Sequence, residues 1–301
     1  MRLHDTVLAS RGHGVGIEYE TLRHWRFPDV AQSYSSRDAM LYALGCGLGL
    51  DPADADQLRF VYEDGLRALP TMAVVLGYPG FWLKDPATGV DWRQVLHGEQ
   101  GLVIHRPLDA AASIIGRTRV TGLADKGAGK GALLFSEREI VEAGSGALIA
   151  TLTATTVLRG DGGFGGPNAP SSAPPPIPER KADLVCDLPT SPMAALIYRL
   201  SGDDNPLHAD PQVAAAAGFA RPILHGLATF GVVGHALLKA CCGYQPTRLR
   251  GMRTRFSAPV YPGETIRTEI WRNADAVAFR ARVVERDIVV LNNGRALIEE
   301  N

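Results

Sequence analysis

The run ILHGLATFGVVGHALLKACC, residues 223–242, is almost uninterrupted in its apolar character and long enough for a helix buried on every side. The chain beyond it has another period. RTRFSAPVYPGETIRTEIWR (253–272) and AVAFRARVVERDIVVLNNGRALIEE (276–300) alternate apolar and polar residues by twos, which predicts three or so antiparallel strands. The first half of the chain repeats this order more faintly. LRALPTMAVVLGY (66–78) reads as a second apolar helix, with Pro70 tolerable only near its start. GLVIHRPL, ASIIGRTRVTGLADKG, GALLFSEREIVEAG and ALIATLTATTVLRG come next as strands. Setting Thr71 against Thr229 aligns LPTMAVV with LATFGVV. Each half is thus expected to be one central helix and a meandering sheet that wraps it, an α+β arrangement.

Between the halves lies RGDGGFGGPNAPSSAPPPIPERK (159–181), whose six prolines from Pro167 to Pro178 favour extended polyproline II. It separates an N-terminal half, 1–158, from a C-terminal half, 182–301. GDGGFGG is either a plain flexible lead-in or a tight turn beside a ligand. In 301 residues, 46% apolar, 31 Lys+Arg stand against 32 Asp+Glu, for a formal charge of −1. That balance lacks the concentrated positive field of nucleic-acid or membrane-surface proteins. No apolar run reaches about eighteen residues, and neither end carries a targeting address. The four cysteines (Cys46, Cys186, Cys241, Cys242) show neither metal nor disulfide spacing, so a reducing cytoplasm is expected.

Several superficial motifs fail on their context. Gly12-His13-Gly14-Val15-Gly16 succeeds no strand and lacks the full dinucleotide pattern, and ADKGAGKG (124–131) lacks P-loop spacing. H-E-x-x-H, C-x-x-C and G-x-S-x-G do not occur.

YRLSGDDNPLHADP (198–211) is different: Asp203, Asp204, Asn205, His208 and Asp210 crowd into eight positions. Pro206 imposes an extended or turn backbone at Asn205, which rules out a continuous helix. A carboxylate and an imidazole five residues apart on such a bend can converge on one water molecule. Asx-turns and helix caps account for the same residues equally well.

YRLSGDDNPLHADP together with AGFARPILHGLATFG (217–231) resembles the signature of the MaoC-like, type-2 (R)-specific enoyl-CoA hydratases, G-D-x-N-P-[LIV]-H. YSSRDAMLYALG, FVYEDGLRALPT, LHGEQGLVIHRPL, ADKGAGKG, RGDGGFGG and RFSAPVYPGETIRTEIWR resemble full-length members, including the hydratase domain of peroxisomal multifunctional enzymes. The likeness runs in order from about residue 30 to 300.

The resemblance implies a double hot-dog fold and reversible hydration of trans-2-enoyl-CoA to (R)-3-hydroxyacyl-CoA. Asp203 and His208 match the family's catalytic pair, and Gly226 matches the glycine whose N–H holds the thioester oxygen. His97, Gly98, Lys126, Tyr198, Asn205 and Phe256 match substrate-binding positions. No metal and no cofactor are implied, since coenzyme A belongs to the substrate, and a homodimer is the expected assembly. The middle residue of the motif, Asp204, reads as exposed, and His225 as either a site wall or a packing residue. On the Thr71/Thr229 alignment the first half has Ala68 in place of Gly226 and no D-x-N-P-x-H, so it is expected to be a degenerate half that houses the acyl chain. Met72, Phe81 and Trp82 read first as helix or strand core, and only second as the lining of that tunnel. A branched, dicarboxylic or steroid side-chain substrate is the alternative, and a non-catalytic acyl-CoA-binding module a more distant one.

Overall fold

The computed structural model describes residues 16–168, 176–272 and 276–299. The Gly12–Val15 stretch and the middle of the proline-rich linker lie outside the described residues. Among the described residues, ten strands form one antiparallel sheet. The first five are β1 (Val30–Tyr34), β2 (Val95–Ile104), β3 (Ala112–Asp125), β4 (Ala132–Glu142) and β5 (Leu148–Leu158). The second five are β6 (Leu184–Pro189), β7 (Leu249–Phe256), β8 (Thr265–Arg272), β9 (Val277–Val283) and β10 (Ile288–Ile298).

Their spatial order is β1-β3-β4-β5-β2-β7-β10-β9-β8-β6. Read from each edge inward, the halves have the same topology, and they join where β2 pairs with β7. This is the double hot-dog. The edge strands β1 and β6 are too short and irregular in pattern to stand out in sequence.

The central helix, Gly226–Leu237, is buried from Ala228 to Leu237 without interruption, as a helix with no polar face must be. It begins three residues later than the apolar run. Pro222 precedes the run, and the Leu224 N–H is already committed to the Val260 carbonyl. Past Leu237 it widens into a π turn, Leu238–Cys242, that closes on Gly243 at φ 56°.

The first half departs from expectation. LRALPTMAVVLGY forms only a short 3-10 turn, Pro70–Val75. That turn is wedged against the second half's helix: a Cβ at Gly234 would lie 2.5 Å from Thr71 Cγ2. From another side the helix Ser36–Gly45 presses Cys46 and Tyr42 onto Gly231, where a Cβ would meet Cys46 Sγ at 2.3 Å and Tyr42 Oη at 3.0 Å. Tyr42 in turn donates to the Thr71 carbonyl at 2.9 Å. One helix therefore serves as the core of both halves.

Gly231→Ala should destabilise the fold by about 1–3 kcal/mol through overpacking. Urea unfolding is expected to show a lower midpoint at unchanged slope. Adding Cys46→Ala should return part of the loss.

Candidate active site

Residues 198–211 fold as a chain of short turns. Gly202, at φ 111°, closes the turn after the helix Ala194–Tyr198 and frees Asp203 from it. Asp203 Oδ1 accepts from Asn205 N–H at 3.3 Å, and Asn205 Oδ1 accepts from Leu207 N–H at 3.1 Å. Pro206 then opens the 3-10 turn that ends on His208. Asp210 caps the next helix by accepting from Gln212 N–H at 2.8 Å. The Asx-turn reading holds for Asn205 and Asp210, which bend the backbone, and the same bend brings an Asp203 carboxylate oxygen and a His208 ring nitrogen within 4.8 Å of each other. Asp204 is exposed.

His208 Nδ1–H donates to the Ile223 carbonyl at 2.8 Å, since a carbonyl can only accept, and this leaves Nε2 with its lone pair. The His225 ring lies against the His208 ring, 3.7 Å between centroids and tilted by 30°. His225 Nε2–H donates to the Asp203 carbonyl at 3.2 Å, which fixes the backbone of the carboxylate residue. Tyr198, fully buried, lies 5.0 Å from the His225 ring. Asp203, His208 and His225 each offer an atom within 4.8 Å of the others.

Burial holds the imidazoles neutral. It lowers His208, against the raising influence of the Ile223 bond and the Asp203 charge. Burial and the neighbouring His208 push His225 down to about 3. His208 is thereby neutral at physiological pH.

Gly226 is the first residue of the central helix, so its N–H has no acceptor within the helix and sits at the positive end of the dipole. A Cβ there would approach the Phe256 ring at 3.3 Å. Phe256 in turn lies 4.8 Å from the His97 ring across the junction of the halves. One residue away, Arg255 pairs with Glu99 at 3.0 Å and fixes the β2–β7 register.

His97 reaches this face because of Gly98. The β2–β5 ladder shifts register between His97 and Glu99, so His97 opposes Thr156 and shares the concave face with Gln100 and Leu102. A side chain at Gly98 would strike the Thr155 carbonyl at 3.0 Å. Although His97 keeps an exposed edge, the atoms packed round its ring push it down to about 4, so it too is neutral.

Lys126 comes directly after Asp125, which closes the row Val95–Leu158–Ala132–Asp125 at the same end of the sheet as His97. The Asp125 carboxylate accepts from the N–H groups of Gly127, Gly163 and Gly165, each at 2.8 Å. GDGGFGG is thus pinned against ADKGAGKG and is no loose lead-in. Of the residues suggested for the acyl chain, Met72 is buried in the core and Trp82 packs on Trp25 and Phe27. Phe81 is 40% exposed.

Three neighbours are missed or left undecided by sequence: His225, Tyr78 and Arg138. The Asp203 and Arg138 charges both act on the Tyr78 hydroxyl and on the His97 ring. The signal for Arg138 lies in LLFSEREIVE (133–142), where strand alternation puts it on the face of Leu134 and Ile140.

Residues 32–160 match the MFE-2 hydratase 2 N-terminal domain, and 174–293 match the MaoC like domain. The peroxisomal enoyl-CoA hydratase 2 of Arabidopsis thaliana is 41% identical over 88% of this chain and 91% of its own. The 3-hydroxyacyl-thioester dehydratase Y of Mycobacterium tuberculosis is 41% identical over 87% of this chain and 91% of its own. A MaoC-like dehydratase structure from Phytophthora capsici, 35% identical, superposes with a TM-score of 0.80 over 91% of this chain and 96% of that one.

His225 and His235, each 1% exposed, are held neutral in the fold, at about 3 and about 4 against an ordinary 6.5. The unfolded chain takes these protons first, so their contribution is complete above pH 6.5 and is lost as the pH falls toward 3 or 4. By pH 5 the loss should be about 2 kcal/mol per ring. Urea midpoints at pH 7, 6 and 5 should fall, and less steeply in His235→Leu. An equal slope in that variant would place the acid sensitivity elsewhere.

Proposed function

Since the chain belongs to the MaoC-like enoyl-CoA hydratase 2 family and is a hydro-lyase of that kind, we propose that it adds water to trans-2-enoyl-CoA, giving (R)-3-hydroxyacyl-CoA, and catalyses the reverse dehydration. The observation that carries this reading is the convergence of the Asp203 carboxylate with the unprotonated Nε2 of His208.

In this reading one water bridges the two groups. As its oxygen bonds to C3, its proton passes to the pair, and the pair delivers a proton to C2. The elements of one water are thus added across the double bond. Such acid–base groups contribute roughly 10²–10⁴-fold each. Two neutral rings and a carboxylate leave the proton shared rather than owned by one residue.

The negative charge that grows on the thioester oxygen is received by the Gly226 N–H, an interaction worth about 3–4 kcal/mol in comparable sites. Phe256 and His97 wall the thioester, Tyr198 backs His225, and Asn205 holds the bend. Lys126, on the glycine-rich hairpin, meets the coenzyme A portion. The reaction needs no redox or metal chemistry, because the proton inventory closes on these residues alone.

The described helices include none long and apolar enough to cross a membrane. A homodimer that covers a free edge of the sheet, β1 or β6, completes the reading, with the cytoplasm as its compartment. The plant relative, by contrast, is named for the peroxisome.

Crotonyl-, octenoyl- and decenoyl-CoA should lose enoyl-thioester absorbance with the purified protein, and an (R)-selective 3-hydroxyacyl-CoA dehydrogenase should accept the product. Asp203→Asn and His208→Gln should each lower kcat by about 10²–10⁴-fold with folding intact. Retained turnover in both variants, or an (S) product, would sink the assignment.

A further inference from the structure

The concave face of the first half has a polar floor where its twin has a helix. Residues opposite one another in an antiparallel ladder share a face, so the registers define rows across the sheet. One row is Thr118–Arg138–Leu152–Leu102, and the next is Val120–Ser136–Ala154–Gln100. Leu102 and Leu152 face the core, and Arg138 and Ser136 therefore do as well.

The molecule's two apolar clusters part along this band. Val120, Leu134 and Leu158 belong to the smaller one, and Ile114, Ile140 and Leu152 to the larger. Between them the sheet offers Thr118, Ser136 and Arg138.

Arg138 is underpaired. Its Nη2–H donates to the Val74 carbonyl at 2.6 Å, and its guanidinium lies 5.4 Å from the Tyr78 ring. Its Nε is sealed from solvent with no acceptor among the described residues, and so is the Oγ1 of Thr118 directly opposite. Glu137 and Glu139 flank it in sequence, but alternation turns them to the outer face, where Glu137 pairs with Arg119. Burial pushes the guanidinium down to about 10, which still leaves it charged at neutral pH.

A buried cation without a counter-ion costs several kcal/mol, so a site that keeps one is built for a partner that arrives. The place is close to the reacting carbons. Arg138 and Asp203 act on the same Tyr78 hydroxyl and the same His97 ring, within the ~10 Å over which such fields persist.

Building on the hydratase reading, we propose that Arg138, with Thr118 and Tyr78, receives a carboxylate carried on the acyl chain, so that the preferred substrates are enoyl-CoAs whose chain ends in a carboxylate. Arg138 offers a charge-assisted bond and Thr118 a hydroxyl, and the ring of the 47%-exposed Tyr78 lies 5.4 Å from the guanidinium. A methyl-ended chain of the same length leaves the guanidinium buried and unpaired, and binds less well for that reason.

The test compares kcat/KM for trans-2-octenoyl-CoA with that for its ω-carboxy and ω-hydroxy analogues, in wild type, Arg138→Met, Arg138→Lys and Thr118→Val. Wild type should prefer the ω-carboxy chain. In Arg138→Met that preference should fall by on the order of 100-fold, as when one partner of a buried ion pair is removed. Arg138→Lys should restore part of it, and Thr118→Val should lose a smaller share. An Arg138 that merely braces the Val74 carbonyl would depress all three substrates together, and that result overturns the proposal. Wild type that turns over the methyl-ended chain and not the ω-carboxy one overturns it too, without needing a folded variant, and leaves the hydratase reading standing. Turnover of none of the three overturns the hydratase reading and this proposal with it.

Discussion

Two glycines on a buried helix let both halves of this molecule share one core. Gly231 and Gly234 remove the side chains that would hold Tyr42, Cys46 and Thr71 away from the helix Gly226–Leu237. Elements of the first half therefore touch the helix of the second directly. The Tyr42 hydroxyl bonds the Thr71 carbonyl in the same place and satisfies a backbone acceptor inside the core. With that helix so shared, the ten strands close into one sheet through a single pair, β2 with β7.

The position of the site depends on where this helix starts. Its first turn leaves backbone N–H groups without intrahelical acceptors, and just ahead of it the Leu224 N–H is tied to the Val260 carbonyl. The Ile223 carbonyl fixes the tautomer of His208, while His225 holds the Asp203 backbone. Asp203, His208 and the helix dipole are thus oriented by the same few residues. The junction of the sheets adds Phe256 and, through the bulge at Gly98, His97.

Duplication without symmetry gives the site its room. Both halves have the same strand order, yet the first offers only the 3-10 turn Pro70–Val75 where the second has a full helix. Gly77, at φ 57°, ends that turn: a Cβ there would lie 2.6 Å from Gly116 Cα. The chain is locked onto β3 before another helical turn can form. The concave face beyond is left to His97, Ser136 and Arg138 rather than to a helix.

The strands β3, β4 and β5, the long buried helix, the division into two similar halves and the Asp203–His208 bend are all legible in the residues alone. Each is a local matter of period, of proline and glycine placement, or of spacing within a dozen residues. The same patterns suggest a second helix at 66–78, because Leu69, Met72, Ala73 and Val74 are as apolar as a helix face. Tertiary contact overrules that suggestion, since apolar residues pressed against another half's helix are satisfied whatever their backbone does. The surroundings of His225 and Arg138 are decided in the same way. An imidazole is a wall or a packing residue only by virtue of what lies 3.7 Å from it, and a guanidinium is unpaired only when the carboxylates beside it in sequence face away. Pattern sets which face a residue occupies; only the folded chain sets what it meets there.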